Sequence, residues 1–243
     1  MKAYEHFNDP EWDGEPVEPD PPGPRGGGGE GPGEGGGEDP GPGGNGEPPP
    51  RQKIKVKLAD GKERTIQHMM ATTFWSPDGK PISAADFIER LFGDLPALFR
   101  NEDELKSIWS VPETRKALLE SLSELGYGNE QLAEIRSMID AEKSDLFDVL
   151  AYIAFALAPI TRGERADKGK KAISSLYNEK LCLFLEFVLS QYVKEGVGEL
   201  DRSKLTDLLE LKYHSVTDAA EQLGGAPAIS DAFVDFQRHL YLG

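Results

Sequence analysis

Cysteine is all but missing from this chain of 243 residues. Cys182 stands alone, so no internal disulfide framework is available, and such usage fits a reducing cytoplasm. Histidine is nearly as scarce. His6, His68, His214 and His239 are scattered without ligand spacing, which argues against a metal site. A long hydrophobic run is also lacking. A spanning helix needs about 20 apolar residues, whereas the run from Val149 to Ala158 offers ten before Pro159, so no membrane association is expected. The opening "MKAYEHFNDPEWDG" has no apolar stretch of the kind a secretory signal requires. Catalytic signatures are absent as well: there is no Gly-x-Ser-x-Gly elbow, no Walker A Gly-Lys-Ser/Thr and no Asp-Glu-x-His pattern. Carboxylates abound, but they are expected on polar helix faces as solvated surface. No catalytic, metal-binding or cofactor-binding residue is therefore assigned.

What the chain does hold is unevenly distributed. Of the first 50 residues, 27 are Gly or Pro and 12 are acidic, against Lys2 and Arg25. Removing these from the totals of 43 acidic and 27 basic residues leaves 31 and 25 for residues 51–243. The formal charge of −16 thus belongs largely to the N-terminal segment. Residues 14–50 cannot bury enough apolar surface to offset chain entropy and are expected to be a disordered acidic linker. Its glycines are not a phosphate-binding loop, because no strand precedes them and interleaved glutamates would repel phosphate.

The remainder suffices for one sizeable core. "QKIKVKL", "ADGK" and "ERTIQHMM" predict a β-hairpin with Ile54, Val56 and Leu58 on one face. "TTFWSPDGKPIS" predicts a second, with "PDGK" as a turn rather than a fragment of a nuclease centre. From Ser83 the pattern is helical throughout. Ser83 and Asp86 have capping-box spacing, Pro112 sits at a helix start, and Gly126 and Gly196 sit at helix ends. Ser144 is expected to cap the helix that Pro159 stops, and Thr161 with Glu164 to cap the next. The segments 145–158 and 179–193 read as apolar all round and are expected to be enclosed by other helices. Cys182 and Tyr152 then read as packing residues. Ile229, Phe233, Phe236 and Leu240 recur at helical spacing. The fold class is mainly α: a multi-helix, bundle-like domain over residues 83–243, preceded by a small β element at 51–82 and the linker.

Two segments raise the question of nucleic acid. "TRGERADKGKK" carries Arg162, Arg165, Lys168, Lys170 and Lys171 against Glu164 and Asp167. Arg162, Arg165 and Lys168 fall on roughly one side of a helix, a pattern that suits DNA or partner contact as well as a mobile charged connection. "SVTDAAEQLGGAPAISDAFVDF" has the outline of a helix-turn-helix. Its second helix, however, presents Asp231 and Asp235 where phosphate contact wants basic residues, so two packed core helices are the better reading.

Longer strings carry a resemblance. "AYEHFNDPEWDGEP", the linker, "RQKIKVKLADGKERTIQHMMATTFWSPDGKPIS", "EKSDLFDVLAYIAFALAPITRGERA", "FVLSQYVKEGVGELD", "LLELKYHSVTDA" and "FQRHLY" occur in one order. Together they resemble the C-terminal region of the R (restriction) subunit of type I restriction-modification enzymes, the EcoEI-like R protein C-terminal domain. The resemblance implies a cytoplasmic multisubunit enzyme that translocates and cuts DNA lacking methylation. ATP and Mg2+ are implied for the full-length R subunit, whose nuclease core and motor lobes lie upstream of this region. None of those motifs is on this chain, so no catalytic residue is carried over; residues 1–13 look like the tail of the missing motor region, and the chain like a fragment. The implied partners are the methyltransferase (M) and specificity (S) subunits, with DNA present in the assembled complex. Residues 83–243 are expected to dock the motor on that complex; the alternatives are a DNA-contacting domain using the basic segment 162–171 and a standalone helical adaptor. A linker of about 37 residues has a typical reach of roughly 30–37 Å, which would let a docked domain stay attached to a moving motor.

Overall fold

The computed structural model describes residues 53–67, 74–76 and 78–242. The linker at 14–50, the segment 1–13 and residues 51–52, 68–73 and 77 of the β element lie outside them, as do His6 and His68.

Two antiparallel pairs open the described chain. β1 (Lys53–Lys57) pairs with β2 (Glu63–Gln67) in the register Ile54–Ile66 and Val56–Arg64, and β3 (Phe74–Trp75) pairs with β4 (Pro81–Ile82). The first turn closes through Gly61 N–H donating to the Leu58 carbonyl at 2.9 Å. Gly61 has φ +76°, a conformation that glycine reaches without a Cβ clash. The expected alternation is half realised. Val56 and Leu58 are buried, but Ile54 is 39% exposed.

Eleven helices follow among the described residues: α1 (Ala84–Asp94), α2 (Glu102–Trp109), α3 (Pro112–Glu124), α4 (Asn129–Met138), α5 (Leu146–Phe155), α6 (Arg162–Leu176), α7 (Glu179–Glu195), α8 (Leu205–Tyr213), α9 (Val216–Leu223), α10 (Ala226–Asp235) and α11 (Arg238–Tyr241). Their ends follow local chemistry. Ser83 and Asp86 form a reciprocal capping box at α1, Thr161 and Glu164 another at α6, and Pro112 opens α3. Gly196 closes α7 with φ +102°. The core is one connected cluster: Val149, Leu150 and Ile153 of α5 and Phe184, Leu185, Val188, Leu189 and Tyr192 of α7 have no exposed surface. Burying each such side chain is worth about 1.5–3 kcal/mol. No helix among the described residues is long and apolar enough to cross a membrane.

Three boundaries and faces differ from expectation. First, Asp145, not Ser144, occupies the cap of α5, with Asp148 in its third helical position. Second, α5 stops at Phe155 rather than at Pro159, because Ala156 turns into the left-handed region at φ +60°. The exposed helix end is covered from the first hairpin. Buried Arg64 donates from Nε to the Tyr152 carbonyl at 2.8 Å and from Nη2 to the Ile153 carbonyl at 2.8 Å. A cation over the last carbonyls complements the helix dipole. Asp60 holds the same Nη2 at 2.9 Å, and the Tyr152 hydroxyl accepts from the Thr65 amide at 2.6 Å, so Tyr152 is a hydrogen-bonding tie and not packing alone. Third, α7 is enclosed on one face only. Leu183, Glu186, Ser190 and Val193 recur at helical spacing on its outer side and are exposed. Its apolar count suggested full burial, but the distribution decided the matter.

The helix-turn-helix outline resolves as core packing. Ala219, Leu223, Ile229, Ala232 and Phe233 of α9 and α10 are buried, while Asp231 and Asp235 face outward.

Candidate functional site

The N-terminal end of α5 carries a buried polar network that joins α5, α6, α7 and α11. Asp145 and Asp148 are 2% and 4% exposed. Asp148 Oδ2 accepts from the Asp145 amide at 3.1 Å, and its Oδ1 accepts from the Ile160 amide at 3.2 Å. From α6, Arg165 reaches in to meet Asp148 Oδ1 at 2.7 Å and lies 3.7 Å from Asp145 Oδ2. Its Nη1 also donates to the Leu240 carbonyl at 3.2 Å. The guanidinium sits over the rings of Phe147 and Tyr241, 5.0 and 4.6 Å from their centroids. The hydroxyls of Tyr192 and Tyr241 both donate to Asp145 Oδ2, the latter at 2.8 Å.

Electrostatics follow from this enclosure. Burial pushes the Asp148 carboxyl up, Arg165 pulls against it, and the neighbouring Asp145 charge pushes it further. Burial first, then the Asp145 charge, pushes the Tyr241 hydroxyl well above the usual phenol range; Tyr192 moves the same way by burial and the two neighbouring groups. These phenols therefore stay protonated as donors. Two acids, one guanidinium and two phenols with little exposed surface form a structural clamp, with no nucleophile beside a free base.

Close approach of α6 to α11 depends on Gly169, where a Cβ would sit 2.4 Å from Leu240 Cδ2. A second buried guanidinium, Arg115 of α3, pairs with Asp201 Oδ1 at 2.7 Å and donates to Gln237 Oε1 at 3.0 Å. Gln237 in turn donates to the Leu200 and Phe233 carbonyls at 2.8 and 3.0 Å.

The basic segment thus divides. It forms the regular helix α6 and not a mobile connection. Arg165 is not on the outer surface with Arg162 and Lys168: it is 3% exposed, drawn inward by the two buried carboxylates. Arg162 is half-buried and donates to the Val193 and Ser144 carbonyls at 3.2 and 3.0 Å. Lys168, Lys170 and Lys171 are exposed, with Lys170 3.6 Å from Asp167. The buried role of Asp145, Asp148, Arg115 and Arg64 escaped the sequence reading, which assigned charged side chains to the surface. One signal was present: Asp145 and Asp148 have capping-box spacing directly before the longest apolar segment. Cys182 is half-buried, and burial pushes its thiol up, as suits a packing residue.

A different kind of surface lies on α7 and α8. Leu183 is 53% and Leu211 64% exposed, and the Lys212 ammonium bridges the two helices, donating to the Leu183 carbonyl and standing 5.2 Å over the Phe187 ring.

Among known proteins, the type I restriction enzyme EcoAI endonuclease subunit of Escherichia coli is 26% identical over 137 residues, which covers 56% of this chain and 16% of that protein. The chain therefore spans about a sixth of that relative's length. No solved structure matches. The family model described as EcoEI R protein C-terminal matches residues 85–241, leaving the linker and both hairpins outside the matched span. Since that match takes in well over half of the chain and runs from α1 to α11, the protein belongs to the EcoEI R protein C-terminal family, the C-terminal domain of type I restriction enzyme R subunits.

Proposed function

We propose that residues 83–243 dock a type I R subunit, and with it an ATP-dependent DNA translocase and endonuclease, on the methyltransferase and specificity subunits. The observation that carries this reading is the α7–α8 face. Leu183 and Leu211 stand out into solvent on two helices that touch each other, beside a half-buried Phe187. Exposed apolar side chains on two adjoining helices that also carry Lys212, Glu186 and Glu210 have the composition of a protein interface, which mixes apolar and charged groups. The ATP and Mg2+ of such an enzyme are assigned to regions other than this chain, in which no residue is given a part in holding them.

Affinity capture of purified M and S subunits by this chain is the direct test. Capture at micromolar concentration is expected. Leu183→Asp with Leu211→Asp should weaken it at least tenfold, since truncation of a central apolar contact costs about 1–2 kcal/mol or more, while the melting temperature stays near that of the parent. Undiminished capture by the double variant would remove this face from the interface.

A second reading keeps a smaller DNA contact. Lys168, Lys170 and Lys171 project from α6 into solvent. If they meet phosphates, duplex binding falls with salt and falls further when the three become Ala. Arg165 has no place in that test, because its replacement opens the buried clamp.

A further inference from the structure

An open socket of about 260 Å³ lies between α2, α5, the connection from α5 to α6, α6 and α11. The early end of α5 builds one of its walls. Once Ala156 has turned left-handed, residues 157–160 run on outside any helix and border the socket. The lining is apolar at Leu157 and Ile160, which are half-buried, and at buried Ala151 and Leu240. Lys106, Lys168 and His239 line it as well.

The charges around this socket are unevenly spent. Asp148 and Arg165 pair at 2.7 Å beneath it, and Glu102 pairs with Lys106. Lys168 is exposed and forms no ion pair among the described residues. Glu164, one turn earlier, lies within its field, but Oε2 of that carboxylate is taken by the Thr161 amide and hydroxyl, each at 2.8 Å. The His239 ring, half-buried, makes no hydrogen bond among the described residues. Nor does the main chain of exposed Ala158, whose N–H and carbonyl are both left over. Lys168, His239, Leu157 and Ala158 all have surface open to solvent, so an incoming group can reach them.

We propose that this socket docks a segment of a partner protein, taking one apolar side chain of about leucine size against Leu157 and Ile160 while a neighbouring carboxylate of the partner meets Lys168. Size favours a single side chain: the cavity falls below the range of small-molecule sites, about 300–1,000 Å³. Chemistry narrows the occupant further. The apolar lining disfavours a bare phosphate, and the uncommitted cation at the edge disfavours a wholly apolar segment. An extended peptide also brings the N–H and carbonyl groups that the Ala158 main chain leaves unmatched. An apolar anchor in a pocket with a charge at its rim is a usual arrangement at protein interfaces. The socket draws on neither α7 nor α8, so it stands or falls separately from the face on those helices.

NMR titration of the isotopically labelled full chain with end-capped tetrapeptides tests this. The peptide Gly-Leu-Asp-Gly is expected to shift the amide signals of Ala158, Lys168 and His239 saturably in the millimolar range. Gly-Leu-Asn-Gly should bind about threefold more weakly, the worth of one exposed ion pair. Gly-Ala-Asp-Gly should bind about tenfold more weakly, because most of the buried apolar surface is lost. Lys168→Glu changes an exposed position and leaves the buried clamp in place, so the variant is expected to fold. It should reverse the charge preference, with Gly-Leu-Lys-Gly binding better than Gly-Leu-Asp-Gly. The comparison of peptides on the parent chain needs no variant. No saturable shifts, equal affinity for the leucine and alanine peptides or for the aspartate and asparagine peptides, an unchanged preference in Lys168→Glu, or displacement of the peptide by a short DNA duplex would each overturn the assignment.

Discussion

At the scale of single residues, Arg64, Arg115 and Arg165 are each 3% exposed or less, and each divides its guanidinium between carbonyl oxygens and a carboxylate. The planar fork makes this possible, since it presents several donors in fixed directions, and lysine does not replace it. For Arg165→Met we expect a loss of about 3–5 kcal/mol in urea unfolding, because Asp145 and Asp148 are left buried without their cation. A loss below about 1 kcal/mol would show that the clamp is dispensable. Asp148 adds a pH signature. Its carboxyl is raised, chiefly by burial, so the folded chain holds this proton more tightly than the unfolded one. The resulting stability is complete below the ordinary carboxylate range and disappears as pH rises through the raised value. The unfolding free energy of the parent relative to Asp148→Asn should therefore fall as pH rises over that window, and a flat or rising difference would refute the direction. None of this was legible from composition, because charged residues are mostly exposed. The hint lay in the company Arg165 keeps: it shares its helix face with Ala166, Gly169 and Ile173, all buried.

Among elements, the helices were legible wherever their ends carry chemistry. The boxes at Ser83 and Thr161, Pro112 at the head of α3 and Gly196 at the end of α7 all appear where their residue types put them. The end of α5 was not legible, since its terminator comes from a segment about 90 residues earlier in the chain. Local sequence pointed to Pro159, but the tertiary cap at Arg64 acts first. Arg64→Met is expected to cost about 3 kcal/mol by uncapping buried carbonyls and leaving Asp60 without its partner. Amide hydrogen exchange reads this locally: the protons in the last turn of α5 should exchange faster in the variant, while those at the centre of α7 follow only the global loss. Uniform acceleration across both helices would argue that Arg64 supports the fold generally and not this end. The outer face of α7 marks another limit of sequence reading. Leu183 and Val193 are as apolar as their buried neighbours, so only the placement of surrounding helices separates core from surface.

For the whole molecule, a mainly helical class and family membership were both legible, but for different reasons. Helical class followed from periodicity spread over many segments, whereas family followed from long particular strings such as "DLFDVLAYIAFALAPITRGERA". That string maps onto the cap of α5, its buried length, the Ala156 turn and the entry to α6, which is where the polar clamp is assembled. The socket was not legible at all. Its walls come from four helices and the connection between α5 and α6, and no spacing within any one of them reveals that Leu157 and His239 border the same space.

The attachment of the first hairpin to α5 also has a mechanical meaning. A pull applied at Lys53 would enter β1 and pass by the ladder to β2. Through the Arg64 guanidinium and the Thr65–Tyr152 bond it would then reach the last turn of the most deeply buried helix. Tension on the N-terminal side is thereby delivered to the middle of the core, where resistance is shared by many contacts, and not to a peripheral helix that would peel away. Under the proposed docking role, such a fastening would let the helical domain bear a load applied from its N-terminal side.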